Sequence, residues 1–497
     1  MAEDVIFVTM SLMRQLAGDT VIYGLGRILS KVLHFVVVAS YLTWVFSDEQ
    51  DLFAIYSDFY FWTAVLYILF THRMETTLFR YGTEVSQRQS AYHTALWSVL
   101  SVASVITIGL AIFAPSLAEA MGYDGSERYI WYFCLILMSD AIIAIPMARL
   151  RLEGKAKKFA VLNITNVLIL IVSFAFFFEV APRLFPEASW LRDAYRLDYV
   201  FLSNVLSSGI IAIILFPGFK FIKGWDSALW KKMLRYAWPL IIVAVAGVIN
   251  QSVSVPLQKS FLPGDLDGNL YWVGVYAACL KLAILLNLMT TAYNFAAEPF
   301  FFQQRSSSDD RQIYADATRA YALVASLIVA GSLLLLPWLR HIIDEGYWEG
   351  LFIVPPMLIG FYLLGLYYNF SIWFKLTDTT RAGAILSGVG AVVSILVSII
   401  FLPRWGVVAS VVAALGAYAS MSLLCLLWGQ RRFPVPYPYA RLLAYPVLAL
   451  GTYYALEYLV PETDMTGMFW RISALIMFTV VVVGSDWRFL RSSFARS

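Results

Sequence analysis

Charge is what the chain most conspicuously lacks. Of its 497 residues only 14% are Asp, Glu, Lys or Arg, where a soluble domain carries roughly 25%. That deficit excludes an ordinary water-soluble globule, because most of the surface must face something other than water. Cysteine is scarce as well. Cys134, Cys279 and Cys425 each sit in an apolar run without a CxxC pair. They read as small buried hydrophobes, which excludes a disulfide scaffold or a thiolate metal site. The four histidines, His34, His72, His93 and His341, are scattered, and no catalytic constellation forms around them. No Walker motif is present, so the chain does not hydrolyse ATP itself. A net charge of +3 implies no polyanionic partner, so no nucleic acid is expected. The first twenty residues lack a basic region and a small-residue cleavage site, and no cleaved signal peptide is expected.

What is there is apolar length. A helix needs about 20 mostly apolar residues to cross a bilayer. Fourteen segments meet that need, at roughly 18–45, 52–71, 91–114, 129–148, 159–180, 199–217, 237–258, 271–297, 320–339, 351–374, 382–402, 405–428, 441–459 and 467–485. The last two are the weakest. The loops between them are too short to hide a soluble domain. Alternate loops collect the basic residues: RLRLEGKAKK from Arg149, KFIKGWDSALWKKMLR from Lys220, GQRRFPVPYPYAR from Gly429 and the tail DWRFLRSSFARS. The opposite loops carry SDEQD, GYDGSE, PGDLDG, DEGYWEG and PETD. This positive-inside pattern predicts that both termini are cytoplasmic. Pro146, Pro239, Pro256, Pro299, Pro355 and Pro356 stand in or near spans and are expected to break or kink them.

The chain repeats itself. METTLFRYG after the second span matches AAEPFFFQQ after the eighth, pairing Glu75 with Glu298 at an offset of about 223 residues. The stretches after spans 4 and 10 match at nearly the same offset, pairing Arg151 with Lys375. Six spans per half is an even number, so the halves share one orientation and form a parallel repeat. The expected organisation is an N-lobe at 1–217, a cytoplasmic linker at 218–236, a C-lobe at 237–428, and helices 13 and 14 with a tail at 429–497. Transporters built this way hold substrate between their halves.

Some charges fall inside spans. An ionisable side chain at mid-bilayer costs at least ~2.5 kcal/mol, so it faces water or a partner. Arg27 and Lys31 lie deep in span 1, Lys281 near the middle of span 8, Asp140 in the middle of span 4 and Asp58 in the outer half of span 2. The cations of both halves would line a cavity that attracts an anion, with phosphate or pyrophosphate the natural guest. Asp58 and Asp140 would either pair with those cations or couple an ion to the cycle. Asn250, Gln251, Asn287, Asn294 and Asn369 could line the same cavity for sugar hydroxyls, or join helix to helix by hydrogen bonds.

Several stretches resemble one family. RYAWPLIIVAVAGVINQ (Arg235–Gln251), VGVYAACLKLAILLNLMTTAYNFAAEPFFFQQ (Val273–Gln304) and the run from Tyr347 to Ala384 are similar to the bacterial polysaccharide-export, O-antigen-type oligosaccharide flippases. METTLFRYG and SDAIIAIPMARLRLEGKAKKFAVLN resemble that family's first half. These belong to the multidrug/oligosaccharidyl-lipid/polysaccharide (MOP) superfamily. The resemblance implies an all-α membrane protein of two six-helix lobes in a V, with two further C-terminal helices. It implies a bacterial inner-membrane location and a role in lipopolysaccharide or polysaccharide export. The substrate would be an oligosaccharide on a polyprenyl pyrophosphate, bound by Arg27, Lys31 and Lys281. Glu75, Arg80, Arg151, Glu298 and Lys375 would form the cytoplasmic gate.

No cofactor is expected; Na⁺, H⁺ or the membrane potential alone would drive the cycle. The expected partners are that anionic lipid-linked glycan, membrane lipids and the polymerase or ligase that follows, with the protein itself a monomer. One departure stands out. Where the family often has an Asp-Arg or Asp-Lys pair after the Asn-Gln of span 7, this chain has Ser254 and Val255, so no ion site can rest on that Asp. The alternatives are a cation-coupled multidrug antiporter, which would want cavity carboxylates, and a membrane glycosyltransferase, for which the loops are too short. The chain is not expected to be an enzyme.

Overall fold

A computed structural model describes residues 29–188, 195–216, 224–304, 311–460 and 465–494, apart from Lys31, Val36, Asp378 and Thr380. Among these residues the chain is helical and has no strand. Twelve helices are long and apolar enough to cross a membrane. In the bilayer core a helix is the one open-chain element that satisfies its own backbone, so a polytopic helical membrane protein follows.

The twelve coincide with predicted spans 2–12 and 14. Predicted span 13 is the helix Tyr439–Leu459, whose five tyrosines, Arg441, Pro446 and Glu457 make it less apolar than the others. Of span 1, the residues before Leu29 lie outside the described ones, and Val37–Tyr41 is a π-helical turn leading into Leu42–Val45.

Cα packing divides the chain into two units, one built chiefly of Asp58–Val248 and one of Val38–Ser57 with Ile249 onward. In the first unit α1 (Gln50–Thr71) contributes its second half. It is followed by α2 (Met74–Tyr81), α3 (Val85–Ile112), α4 (Ala114–Ala120), α5 (Glu127–Leu152), α6 (Ala156–Ala175) and α7 (Arg196–Leu215), with α8 (Ser227–Ser252) entering from the linker. α5 is the hub, packing on α3 and α7. Small residues make that approach close: Ala91, Ala95 and Ala103 of α3 meet Ala141 and Ala148 of α5 in one buried cluster, as in other membrane helix pairs. Pro146 and Pro239 lie inside α5 and α8 without ending them. Neighbouring helices can shield the carbonyl each proline leaves unbonded.

The second unit holds α9 (Ser254–Phe261), α10 (Leu266–Gln304), α11 (Gln312–Leu334), α12 (Val354–Phe370), α13 (Arg381–Trp405), α14 (Val408–Arg432), α15 (Tyr439–Leu459), α16 (Met465–Ser485) and the short α17 (Trp487–Phe494). α14 packs on α12 and α13, while α15 and α16 both lie against α11. Pro355 and Pro356 fall in the first turn of α12, where a missing N–H costs nothing.

The centre of this unit is pinned by tyrosines. Thr290 of α10 and Tyr321 of α11 share a hydrogen bond of 3.1 Å, and Tyr362 of α12 donates to the Leu442 carbonyl of α15 at 2.7 Å. Gly365 lets α12 approach Tyr321, since a Cβ there would overlap the phenol. Gly365→Ala is expected to cost roughly 1–3 kcal/mol, the range for an overpacked core. Thermal unfolding of the purified protein measures it.

Candidate functional site

In the first unit the sequence-selected charges converge. Asp140 of α5 is half-buried and hydrogen-bonded by Ser208 of α7. Asp140, Glu75, Arg73 and Arg151 all lie within electrostatic reach of the Tyr67 hydroxyl on α1. Residues from α1, the α1–α2 turn and α2 are thus brought together with two from α5, two helices further along the chain. Arg73 pairs with Glu75 there, and Asp140 is held by Ser208. The cluster forms because α1 stops abruptly: His72 and Arg73 both adopt positive φ, at 33° and 58°. Such a pair is costly for residues with a Cβ. Past this break Arg73 reaches Glu75 of α2 at 3.4 Å. His72 is held there by Ser98 of α3 at 2.8 Å, which also accepts from the Trp230 indole of α8 at 2.9 Å.

Arg151, in the last turn of α5, and Arg80, in the last turn of α2, also meet aromatic rings. Arg80 lies 4.2 Å from the Tyr236 ring of α8, and Arg151 stacks on Phe79 of α2 at 4.7 Å and on Phe159 of α6 at 5.5 Å. Cation–π contacts suit a place where arginine must stay charged against apolar walls. Glu153, just past α5, takes Arg149 at 2.5 Å and Lys155 at 2.7 Å. Burial works against its charge, yet the bonds from Lys155 and Arg149 outweigh it and hold the carboxyl below its ordinary range.

Asp58 is fully buried and accepts from Tyr123 at 2.8 Å. Burial first, and the Asp58 charge second, push the Tyr123 phenol well above its usual range, so it serves as a neutral donor. Phe59, next to Asp58 on α1, stacks with Phe133 of α5, which seals the pair under aromatic rings.

In the second unit Lys281 stands at the middle of the Leu266–Asn294 span. It is half-buried and has no ion pair or hydrogen bond among the described residues. At about 100° per residue, Lys281 lies on the opposite side of α10 from Thr290, whose hydroxyl is committed to Tyr321. Lys281 therefore points away from its own unit's tyrosine core. Asn287 and Asn294 are seven residues apart and share one face of α10, roughly 120° around from Lys281. Both are half-buried.

The other predicted amides divide. Asn369 is buried, donates to the Gly365 carbonyl at 2.9 Å and accepts from Tyr293 at 2.7 Å. Asn250 is buried and donates to the Ser387 carbonyl of α13 at 3.0 Å. Both join helix to helix, the second of the two roles open to them. Gln251, one residue on, is exposed. Lys375 is half-buried beyond α12. Arg27, Lys31 and the side chain of Glu298 lie outside the described residues. So does the pairing of Arg27 or Lys31 with either aspartate.

Two ionic clusters went unread in the sequence. Asp486 is fully buried between Arg319 of α11, whose Nε donates at 3.0 Å, and Arg441 of α15 at 2.9 Å. Arg471 of α16 is fully buried and meets Glu457 of α15 at 2.9 Å. A charge six residues into an apolar run was visible in the second case. In the first, Asp486 stands at a span end, where it reads as an ordinary loop residue. No group of three His, Cys, Asp or Glu able to hold a metal occurs among the described residues.

No family profile matches the chain, and no curated protein does. Solved structures do match. A lipid II flippase, MurJ, in an inward closed conformation shares 13% identity at a TM-score of 0.67, covering 94% of this chain and 99% of that one. The fold is MOP-type. A MOP-superfamily transporter from Pyrococcus furiosus, described as having a binding pocket of reverse polarity, matches at a TM-score of 0.59 and 15% identity. That match covers 83% of this chain and 95% of the other. An outward-facing multidrug resistance MATE transporter of the superfamily matches at 0.55 and 14% identity, over 84% of this chain and 95% of that one. At such identities the likeness is one of architecture, a multi-pass MOP-type fold.

Proposed function

We propose that the protein is a flippase that carries a lipid-linked oligosaccharide from the cytoplasmic to the outer leaflet of a bacterial inner membrane by alternating access. The observation that carries this reading is Lys281. An ammonium at mid-span with no partner among the described residues, turned away from its own core, costs at least ~2.5 kcal/mol facing lipid. Water or an anion must meet it, and a pyrophosphate-linked head group supplies the anion. Arg27 and Lys31 would add to the same field from the first half. The lipid tail need never leave the bilayer. An inside-negative potential favours outward passage of an anion by ~2.3 kcal/mol per charge per 100 mV, so no cofactor is required. Surface polysaccharide polymerase or ligase machinery would then take the product. The basic loops support cytoplasmic termini.

One observation favours a second reading. Asp58 and Asp140 are carboxylates within the membrane-spanning part of the first unit, as a cation-coupled multidrug antiporter of the same superfamily would require. Expression in a strain lacking its own polysaccharide flippase separates the two. Restored surface polysaccharide without efflux of lipophilic cationic dyes is the expected result. Dye efflux without restored polysaccharide would replace the flippase reading with the antiporter.

A further inference from the structure

A cavity of about 490 Å³ opens in the second unit, within the roughly 300–1,000 Å³ usual for small-molecule sites. Its walls are the turn before α10, the first turns of α10, Phe352, and the Trp405–Val408 bend between α13 and α14. Trp405 ends α13. Its indole stacks on Phe401 with centroids 4.2 Å apart and planes 23° from parallel, yet it is 49% exposed. One ring face is braced and the other is open. Gly406 follows at φ 58° and closes the helix by bonding to the Leu402 carbonyl at 3.0 Å, which sets the angle of the indole. Phe352 is as exposed as Trp405. Trp272 stands edge-on to Tyr271, whose hydroxyl is committed to Glu349. Asn269 spends its amide N–H groups on the Lys259 and Leu262 carbonyls, each at 3.1 Å. Its carbonyl oxygen is left as an acceptor.

No lining residue is charged. The charges nearby are of both signs: Asp265 in the adjoining turn, Asp267 in the first turn of α10, Glu349 on Tyr271, Arg404 beside Trp405 and Lys259 at the end of α9. The wall itself offers an anionic head group no counter-charge. A pyranose ring fits better. Its polarised C–H face matches the negative face of an aromatic ring, and its hydroxyls can donate to Asn269 and backbone carbonyls.

We infer that this cavity is a sugar-binding subsite, with a neutral pyranose stacked on the open face of Trp405 beside Phe352. By the loop charges this end faces the exterior, where the subsite would hold the glycan after crossing. That role rests on the flippase reading; the binding does not.

The full chain in phosphatidylcholine nanodiscs, probed by saturation-transfer NMR with maltotriose and chitotriose, tests the subsite. Saturation of sugar ring protons is expected for at least one glycan. It should weaken roughly fivefold, about one aromatic contact, in Trp405→Ala and in Phe352→Ala, and recover in Trp405→Phe. Should Trp405→Ala lose its monodispersity, Phe352→Ala decides alone, because half of that side chain is out of contact with the rest of the protein. No saturation with either sugar, an unchanged signal in both variants, or displacement by short-chain phosphatidylglycerol would overturn the inference. Sugar binding in a protein that fails to restore polysaccharide export would leave the subsite standing and remove the flippase reading.

Discussion

Lys281→Ala and Lys281→Gln are expected to lower polysaccharide export by at least an order of magnitude while the protein stays in the membrane at its normal level. A charge-assisted hydrogen bond to a phosphate oxygen is worth ~1.5–3 kcal/mol, and each 1.4 kcal/mol is about a factor of ten. The ammonium has no carboxylate partner among the described residues, so its removal breaks no ion pair there. Its loss should relieve a desolvation cost and leave stability equal or higher. Activity and stability therefore move apart, which a packing role would not produce. Lys281→Arg should retain part of the function, since the charge stays at nearly the same depth. Surface polysaccharide quantified beside membrane levels and thermal unfolding gives both readouts. Full export by well-expressed Lys281→Ala would remove Lys281 from substrate contact.

Asp486→Ala is expected to do the reverse, destabilising the protein and undocking its C-terminal helices. Asp486 is wholly buried and receives both Arg319 and Arg441, so one carboxylate joins α11, α15 and the end of α16. Removing one member of such a buried group costs roughly 3–5 kcal/mol. The lower end applies here, because Arg441 is 39% exposed and can turn to water. Phe489 of α17 also packs on Arg319, 4.3 Å from ring centroid to guanidinium, and would lose that seat. Faster proteolysis in the Phe433–Pro438 linker and a lower unfolding midpoint are the expected signs. Arg319→Ala should resemble Asp486→Ala, and the double variant should be little worse than either. Additive losses would mean that the three helices are held by apolar packing instead.

Much of the architecture was legible because the bilayer leaves few options. An apolar run of the right length must be a helix there, and twelve of the predicted spans appear as such. The breaks were less legible. Nothing in the composition of His72 and Arg73 announces two left-handed residues. In the second half the matching stretch continues α10 as an unbroken helix to Gln304. The sequence match between the two stretches therefore does not extend to the local backbone. Depth was readable from position along a span, which is how Lys281 and Asp140 were found. Partnership was not. Asn369 looks like a cavity amide until Tyr293, 76 residues away, is seen to bond it. Asp486 looks like a tail residue until α11 and α15 bring two arginines to it. Pairings of this kind depend on which helices become neighbours, and single-chain periodicity does not specify that.

Reconstitution tests transbilayer movement of an anionic lipid-linked glycan most directly. Purified protein in liposomes carrying a labelled polyprenyl-pyrophosphate oligosaccharide would be followed by a membrane-impermeant reagent that modifies only outward-facing glycan. Protein-dependent exposure of the inner-leaflet pool is expected, faster under an inside-negative potential and lost in Lys281→Ala. Exposure at the rate of empty liposomes, from protein that is folded and monodisperse, would contradict the flippase reading.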